Sequence, residues 1–268
     1  MNTDSAECSY YVSSLWETNA RDWIKAHEAG YNIGRDYFFT PKFLDTLPNI
    51  NGKVGLDIGC GDGYNTAQLL TKNPEKIYGL DVSRTMIDHA QKYEDEEQEQ
   101  IEFVMGDALA IPFADDYFDF AVSFFSMQDI PAYQDAIKSI YRVLKPGAFF
   151  QFSITHPCFW THHIEWAANR KGVVCKNYSQ DAKPIFGTWT FESLPEGATE
   201  KFSTFLFRKT FGEWVNYALA SGFHLKRLDE IAIPKRLAKK YPSLRGYDSL
   251  PFYVIFTFDK PAKEVTSI

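Results

Sequence analysis

From residue 53 onward the chain alternates short, almost wholly apolar runs with longer segments whose apolar positions fall three and four apart. KVGLDIG (53–59), KIYGLDVS (76–83), IEFVMGDA (101–108), YFDFAVSFFS (117–126) and AFFQFSIT (148–155) read as buried strands. GYNTAQLLTK (63–72), RTMIDHAQKYEDEE (84–97) and AYQDAIKSIYRVL (132–144) read as helices. The last carries Ala136, Ile137, Ile140, Val143 and Leu144 on one face and is expected to stop at Lys145-Pro146-Gly147. Strand and helix recur in steps of roughly 20–25 residues, the rhythm of a parallel sheet covered by helices on both faces.

The rhythm fails after Thr155. Residues 156–208 are rich in aromatics and glycine, and within them GTWTFES (187–193) and EKFSTFLFRKT (200–210) suggest a hairpin. It resumes with FGEWVNYALASGF (211–223) as a helix, then FHLKRLDEI (223–231) and SLPFYVIFTFDK (249–260) as strands, joined by a loop over 232–250. Ahead of the first strand, residues 14–47 predict two or three short helices broken at Gly30 and Gly34. The expected fold is α/β: a Rossmann-like, doubly wound, seven-stranded, mostly parallel sheet. It would comprise an N-terminal helical cap (1–50), a cofactor-binding core (51–155), an inserted lid after the fifth strand (156–208) and the end of the core sheet (209–268).

Composition narrows the class. The 268 residues carry 28 Lys+Arg against 35 Asp+Glu, a net charge of −7 that gives no footprint for sequence-blind nucleic-acid binding. No run reaches the ~20 apolar residues of a membrane span, and the N-terminus lacks the pattern of a secretory leader. Cysteines at 8, 60, 158 and 175 form no CxxC pair and no zinc spacing, so a reduced, cytoplasmic chain is expected. The acidic run 94–100 reads as solvated surface. The unusual entry is aromatic content, 16%, and its dense share falls in the N-terminal segment and in 156–208.

Asp57-Ile58-Gly59-Cys60-Gly61-Asp62-Gly63 lies where the first strand meets the first helix. Glycine lets the backbone turn tightly and approach a ligand, and in a doubly wound sheet this turn sits on the binding edge. A dinucleotide fingerprint from Gly59 would need a third glycine where Tyr64 stands, and no GK[ST] follows for a P-loop. The acid two residues before the first glycine points to a cationic ligand group. Asp81 ends the second strand, where a carboxylate can accept from ribose hydroxyls or cap the next helix; Ser83 could take the capping role instead. Met86 suits an adenine face or the core, and Asp107 ends the third strand within reach of an adenine amine.

VGLDIGCGDGYNTAQLL, GLDVSRTMIDHA, FVMGDALAIPFADDYFDFAVS and YRVLKPGAFF resemble, in order and spacing, the class I S-adenosylmethionine-dependent methyltransferases, especially the ubiquinone/menaquinone-biosynthesis-type and other small-molecule members. The resemblance is close over about 50–155 and weaker over 205–260. It implies S-adenosylmethionine as cofactor and S-adenosylhomocysteine as product. Asp57 with Gly59, Cys60, Gly61 and Gly63 would hold the methionine end. Asp81 and Val82 would take the ribose, Met86 the adenine face, and Asp107 and Ala108 its edge. Ser123, Phe124 and the residues to Met127 would face the methyl group, and Arg35, Tyr37 or Phe38 would close over the cofactor.

For chemistry at the acceptor, His156 after the fifth strand, and Asp129 and Tyr133 after the fourth, are the candidates, with His162 and His163 behind them. No clustered carboxylates suit a metal. No (D/N)PPY-like turn follows the fourth strand, as methylation of a DNA base amine would need. Residues 156–208, with Trp160, Trp166, Trp189 and Phe191, would form an apolar acceptor pocket. The expected activity is methyl transfer to O or N of a small, apolar or aromatic molecule, by a monomer or homodimer. An NAD-dependent oxidoreductase, a binding module without turnover and a protein or RNA methyltransferase are the alternatives.

Overall fold

Strand β1 (Val54–Ile58) buries every residue but its first, and α3 (Tyr64–Leu69) follows directly on the glycine turn. Two more strand–helix steps repeat the unit, β2 (Lys76–Asp81) with α4 (Arg84–Ala90) and β4 (Phe118–Phe124) with α5 (Tyr133–Val143), with β3 (Ile101–Met105) between them. The chain then enters β5 (Leu144–Thr155), the hairpin β6 (Ile185–Trp189) and β7 (Phe202–Leu206), α6 (Phe211–Ala220), β8 (His224–Ile231), α7 (Lys235–Lys240) and β9 (Tyr253–Asp259). Ahead of the sheet lie α1 (Ser5–Glu28), a π-helical turn Arg35–Phe39 and α2 (Thr40–Thr46). This computed structural model describes residues 5–94, 99–159, 167, 172–174, 178, 185–189, 202–207, 209–241, 244 and 246–263.

The seven-stranded sheet runs β3-β2-β1-β4-β5-β9-β8, and the hairpin is a separate two-stranded sheet. Strands β1 to β5 are parallel, while β9 runs antiparallel between β5 and β8. Strand β8 therefore points the same way as β1–β5, and six carboxyl ends share one edge. The order reverses between β1 and β4, which opens the crevice where ligands bind in such sheets.

Both faces are covered. Phe150, Phe152, Phe256 and Phe258 pack against Tyr133 and Ile137 of α5 and Trp214 of α6. On the other face Phe120, Val122, Phe149 and Ile255 meet Phe43 of α2 and Leu237 of α7. The rings of Phe152 and Phe256 stack at 5.0 Å. Each such buried Phe stabilises the fold by roughly 1.5–3 kcal/mol. The one-sided positions predicted for α5 are all fully buried.

Three expectations on the elements change. The first N-terminal helix is 24 residues long, not short, because Trp16, Ala20, Trp23, Ile24 and His27 keep one face inward; the break at Gly30 and the shorter helical pieces after it stand as expected. Lys145-Pro146-Gly147 does not separate helix from strand: α5 ends at Val143 and β5 starts at Leu144, with the irregularity taken up in the β4–β5 register between Phe118 and Phe120. The loop over 232–250 contains α7, on which Leu237 turns inward while Lys235, Arg236, Lys239 and Lys240 face out. The predicted hairpin exists, with its first strand displaced two residues upstream. His162, His163, Trp160, Trp166 and Phe191 lie outside the described residues. No described helix is long and apolar enough to cross a membrane.

Candidate active site

A cavity enclosing about 1060 Å³ of empty space, its open mouth included, lies at the carboxyl ends of β1 to β4. Its floor is the glycine turn, with Gly59, Cys60, Gly61 and Asp62. Asp81, Val82 and Met86 follow from β2 and α4, and Asp107 and Ala108 from the end of β3. The end of β4 gives Phe124, Phe125, Ser126 and Asp129, and α1 forms the roof with Val12, Trp16, Trp23 and His27.

The turn holds its shape through left-handed backbone. Gly59 has φ +68°, and a Cβ there would stand 2.3 Å from the Ser126 side chain. The Ser126 hydroxyl also donates to the Gly59 carbonyl at 2.8 Å. Gly61 has φ +56°, and a Cβ there would meet nothing within 4 Å, so its glycine serves conformation. Gly63 also has positive φ but caps α3 against Phe103 and Ala90, away from the cavity.

Asp81 organises this edge. One carboxylate oxygen accepts from Gly61 N–H at 2.9 Å and the other from Ser83 N–H at 2.9 Å. Ser83, not Asp81, caps α4, its hydroxyl accepting from Met86 N–H at 3.2 Å. Burial outweighs these donors and raises the Asp81 carboxyl above its ordinary range. Asp107 caps the following turn, accepting from Leu109 N–H at 2.9 Å, and lines the wall. Met86 lines the wall while packing against Ala20 and Ile24 of α1, so the two readings of this residue coincide.

Asp57 sits beneath the turn without lining the cavity. One oxygen accepts from Thr66 at 2.7 Å and the other, buried, has no partner. Burial, with the Asp81 charge adding to it, pushes the carboxyl up to about 7, against the Thr66 hydrogen bond. Its first-helix partner was invisible in the sequence, since it needs the α3 register.

Six other predicted residues stand elsewhere. Ser123 is fully buried within β4, where the strand's alternation turns it from the edge. Arg35 lies beside Asp62, 3.4 Å away, with its guanidinium 3.9 Å from the Tyr64 ring centroid, so it holds the turn from outside the cavity. Tyr37 is 58% exposed on the surface, and its neighbour Phe38 joins the core beneath α2. Tyr133 packs in the main core on Trp214 and Tyr217, its hydroxyl unpartnered and its ionisation pushed up by burial. His156 has both ring nitrogens committed: Nδ1 accepts from Cys158 N–H at 3.1 Å, and Nε2 donates to Glu230 at 2.8 Å. It is buried against Phe159 off the cavity, and burial lowers its basicity despite Glu230. Of the three candidates for acceptor chemistry only Asp129 reaches the cavity.

The sequence reading passed over what fastens the roof. Glu17 accepts from the Ser83 and Thr85 hydroxyls at 2.6 and 2.5 Å. The Asn19 amide exchanges two hydrogen bonds with the backbone of Ser203 in β7, at 2.7 and 3.1 Å. His27 Nδ1 donates to Asp62 at 2.8 Å, with the Asn32 amide at its other nitrogen. Burial would raise Asp62, but the His27 and Arg35 partners hold it down at about 2. Burial in turn lowers His27, and its Asp62 partner only partly offsets this. The signal for all three was the helical spacing of 16, 20, 23 and 27, a stripe that makes residues 17 and 19 flank the inward face.

A doubly wound sheet with a glycine turn on its first strand and an acid ending its second defines a nucleotide-binding enzyme. The methyltransferase-domain family matches residues 56–152. The demethylmenaquinone methyltransferase of Bacillus mycoides is 32% identical over 171 residues, 62% of this chain and 68% of that protein. The biotin biosynthesis bifunctional protein of Teredinibacter turnerae is 37% identical over 114 residues, 40% of this chain and 20% of that protein. The chain thus spans a fifth of one relative and about two thirds of the other. A solved S-adenosylmethionine-dependent methyltransferase from Mesorhizobium loti shares the fold with a TM-score of 0.66 at 21% identity, over 82% of this chain and 96% of that one. The chain belongs to the class I S-adenosylmethionine-dependent methyltransferases.

Proposed function

We propose that the protein transfers a methyl group from S-adenosylmethionine to an oxygen or nitrogen of a small, apolar or aromatic molecule in the cytoplasm. The observation that carries this reading is Asp81: each oxygen accepts one backbone N–H and keeps further lone pairs for the ribose hydroxyls beside the open turn at Gly61. Met86 and Asp107, both on the cavity wall, suit the adenine, and Asp57 supports the turn from beneath. S-adenosylmethionine, when bound, supplies a methyl group on a positively charged sulfur.

The chain's own contribution is to orient and to exclude water. Trp16 and Trp23 close the cavity from above, and Phe124 and Phe125 wall it beside Asp129. Orientation of reactants can be worth about 7–11 kcal/mol of a barrier. Rings near a sulfonium add about 0.5–2 kcal/mol each. The likeness to proteins named for demethylmenaquinone supports a small acceptor, and the net charge of −7 disfavours nucleic acid. We assign α1 and the β6–β7 hairpin to the cap over the acceptor and 51–155 to the cofactor core.

Calorimetry should give S-adenosylhomocysteine binding in the micromolar range and none for NADH. Tight NADH binding without S-adenosylhomocysteine binding would sink the proposal. A tritiated methyl group should pass to small molecules of a metabolite extract; label in protein or RNA alone would move the acceptor to a macromolecule.

A further inference from the structure

Four carboxyl side chains line the cavity, and three are engaged: Asp62 by His27, Asp81 by two backbone N–H groups, Asp107 by Leu109 N–H. Asp129 is the exception: among the described residues its carboxyl has no hydrogen-bond or ionic partner. It follows β4, and its apolar companions on the wall are Phe124, Phe125, Ile130 and Pro131, with Trp16 and Trp23 overhead. Strand β7 of the hairpin packs on the turn Met127–Asp129. Phe125 sits in the left-handed region at φ +58°, a conformation costly for a bulky side chain. Its ring is braced edge-on by Phe39 and Tyr253. The fold thus strains an aromatic residue to wall in an otherwise unused carboxyl. Among the described residues of the cavity there is no Lys or Arg.

These features select by charge. An acid or phosphorylated acceptor would meet four carboxyls and no cation. A neutral acceptor would give Asp129 an uncharged hydrogen bond at most, weaker than a charge-assisted one. A cationic amine on an apolar or aromatic skeleton satisfies every group: the carboxylate pairs with the ammonium, and the rings accept its positive charge and its skeleton.

We propose that Asp129 anchors the acceptor and that the acceptor is an aromatic or apolar amine. This rests on the methyl-transfer reading and narrows it to nitrogen. Once paired, the Asp129 carboxylate can take one proton from the ammonium: an N–H bond breaks, an O–H bond forms, and the nitrogen lone pair is freed. Burial already raises the proton affinity of this carboxyl well above the ordinary range, in the direction that transfer needs.

The test is binding to the protein saturated with S-adenosylhomocysteine, using phenethylamine, 2-phenylethanol and 3-phenylpropionate as probes of similar shape. The amine should bind at least tenfold tighter than the alcohol, and the acid not at all. In Asp129→Asn the amine should lose that advantage while S-adenosylhomocysteine affinity stays within about twofold. The Asp129 carboxyl has no partner among the described residues to lose, and the wild-type ranking alone decides should the variant fail to fold. Alcohol binding as tight as amine binding, or an unchanged amine preference in the variant, overturns the proposal. A tenfold loss of S-adenosylhomocysteine affinity in the variant also overturns it, by giving Asp129 to the cofactor's own ammonium. Failure of S-adenosylhomocysteine to bind wild type would instead strike the methyl-transfer reading.

Discussion

Gly59 and Asp57 stand two residues apart and constrain the turn differently. Gly59→Ala places a methyl group against Ser126 on a backbone at φ +68°. It should cost about 1–3 kcal/mol in urea unfolding and weaken S-adenosylhomocysteine binding more than tenfold. Asp57 titrates near 7 when folded and near 3.8 when unfolded. A folded carboxyl raised in this way contributes stability below the unfolded value and loses it as pH climbs through the folded one. Asp57→Asn does not titrate, so its stability should gain on wild type between about pH 4 and pH 7, by on the order of 4 kcal/mol. A constant difference across that window would contradict the raised ionisation. His156→Ala should lower stability by about 1–3 kcal/mol through its lost partners, leaving S-adenosylhomocysteine affinity unchanged. The acids at 57, 81 and 107 were legible as candidates because strand ends are legible. His156 and Tyr133 misled because a polar residue after a strand can turn to the cavity or away from it. Sequence proximity does not say which.

Between elements, the polar side chains of α1 decide how the cavity is roofed. Glu17, Asn19 and His27 tie one helix to α4, to β7 and to the glycine turn. Replacing Glu17 and Asn19 by Ala should speed S-adenosylhomocysteine release several-fold with its association rate little changed. Stopped-flow emission from Trp16 and Trp23, which line the cavity, would report it. An unaltered release rate would mean that the roof does not hold the ligand. The strands and helices of 53–155 were readable because burial on both faces makes strands uniformly apolar. Helix α1 was not, because its tryptophans alternate with Glu17 and Asn19, polar residues that make long-range contacts. Asp62 was hidden for a related reason: between two glycines it looks like turn filler, and its partner lies 35 residues away in sequence.

Across the whole molecule, the direction of β9 and the placement of six carboxyl ends on one edge follow from pairing, which periodicity cannot show. The resemblance in four motifs supplied what periodicity lacked, and the family match at 56–152 falls on the same stretch. The roof lies outside that stretch, so relatives can share the floor of the cavity and differ above it. The Asn19–Ser203 contact spans 184 residues. At roughly 5–20 residues per second, a ribosome delivers β7 about 10–40 s after α1. During synthesis, α1 must therefore wait for the β7 part of its own seat. Until then its tryptophan face is open to chaperones and to other nascent chains, so the gatekeeping segment is also the one most exposed to misassembly at birth.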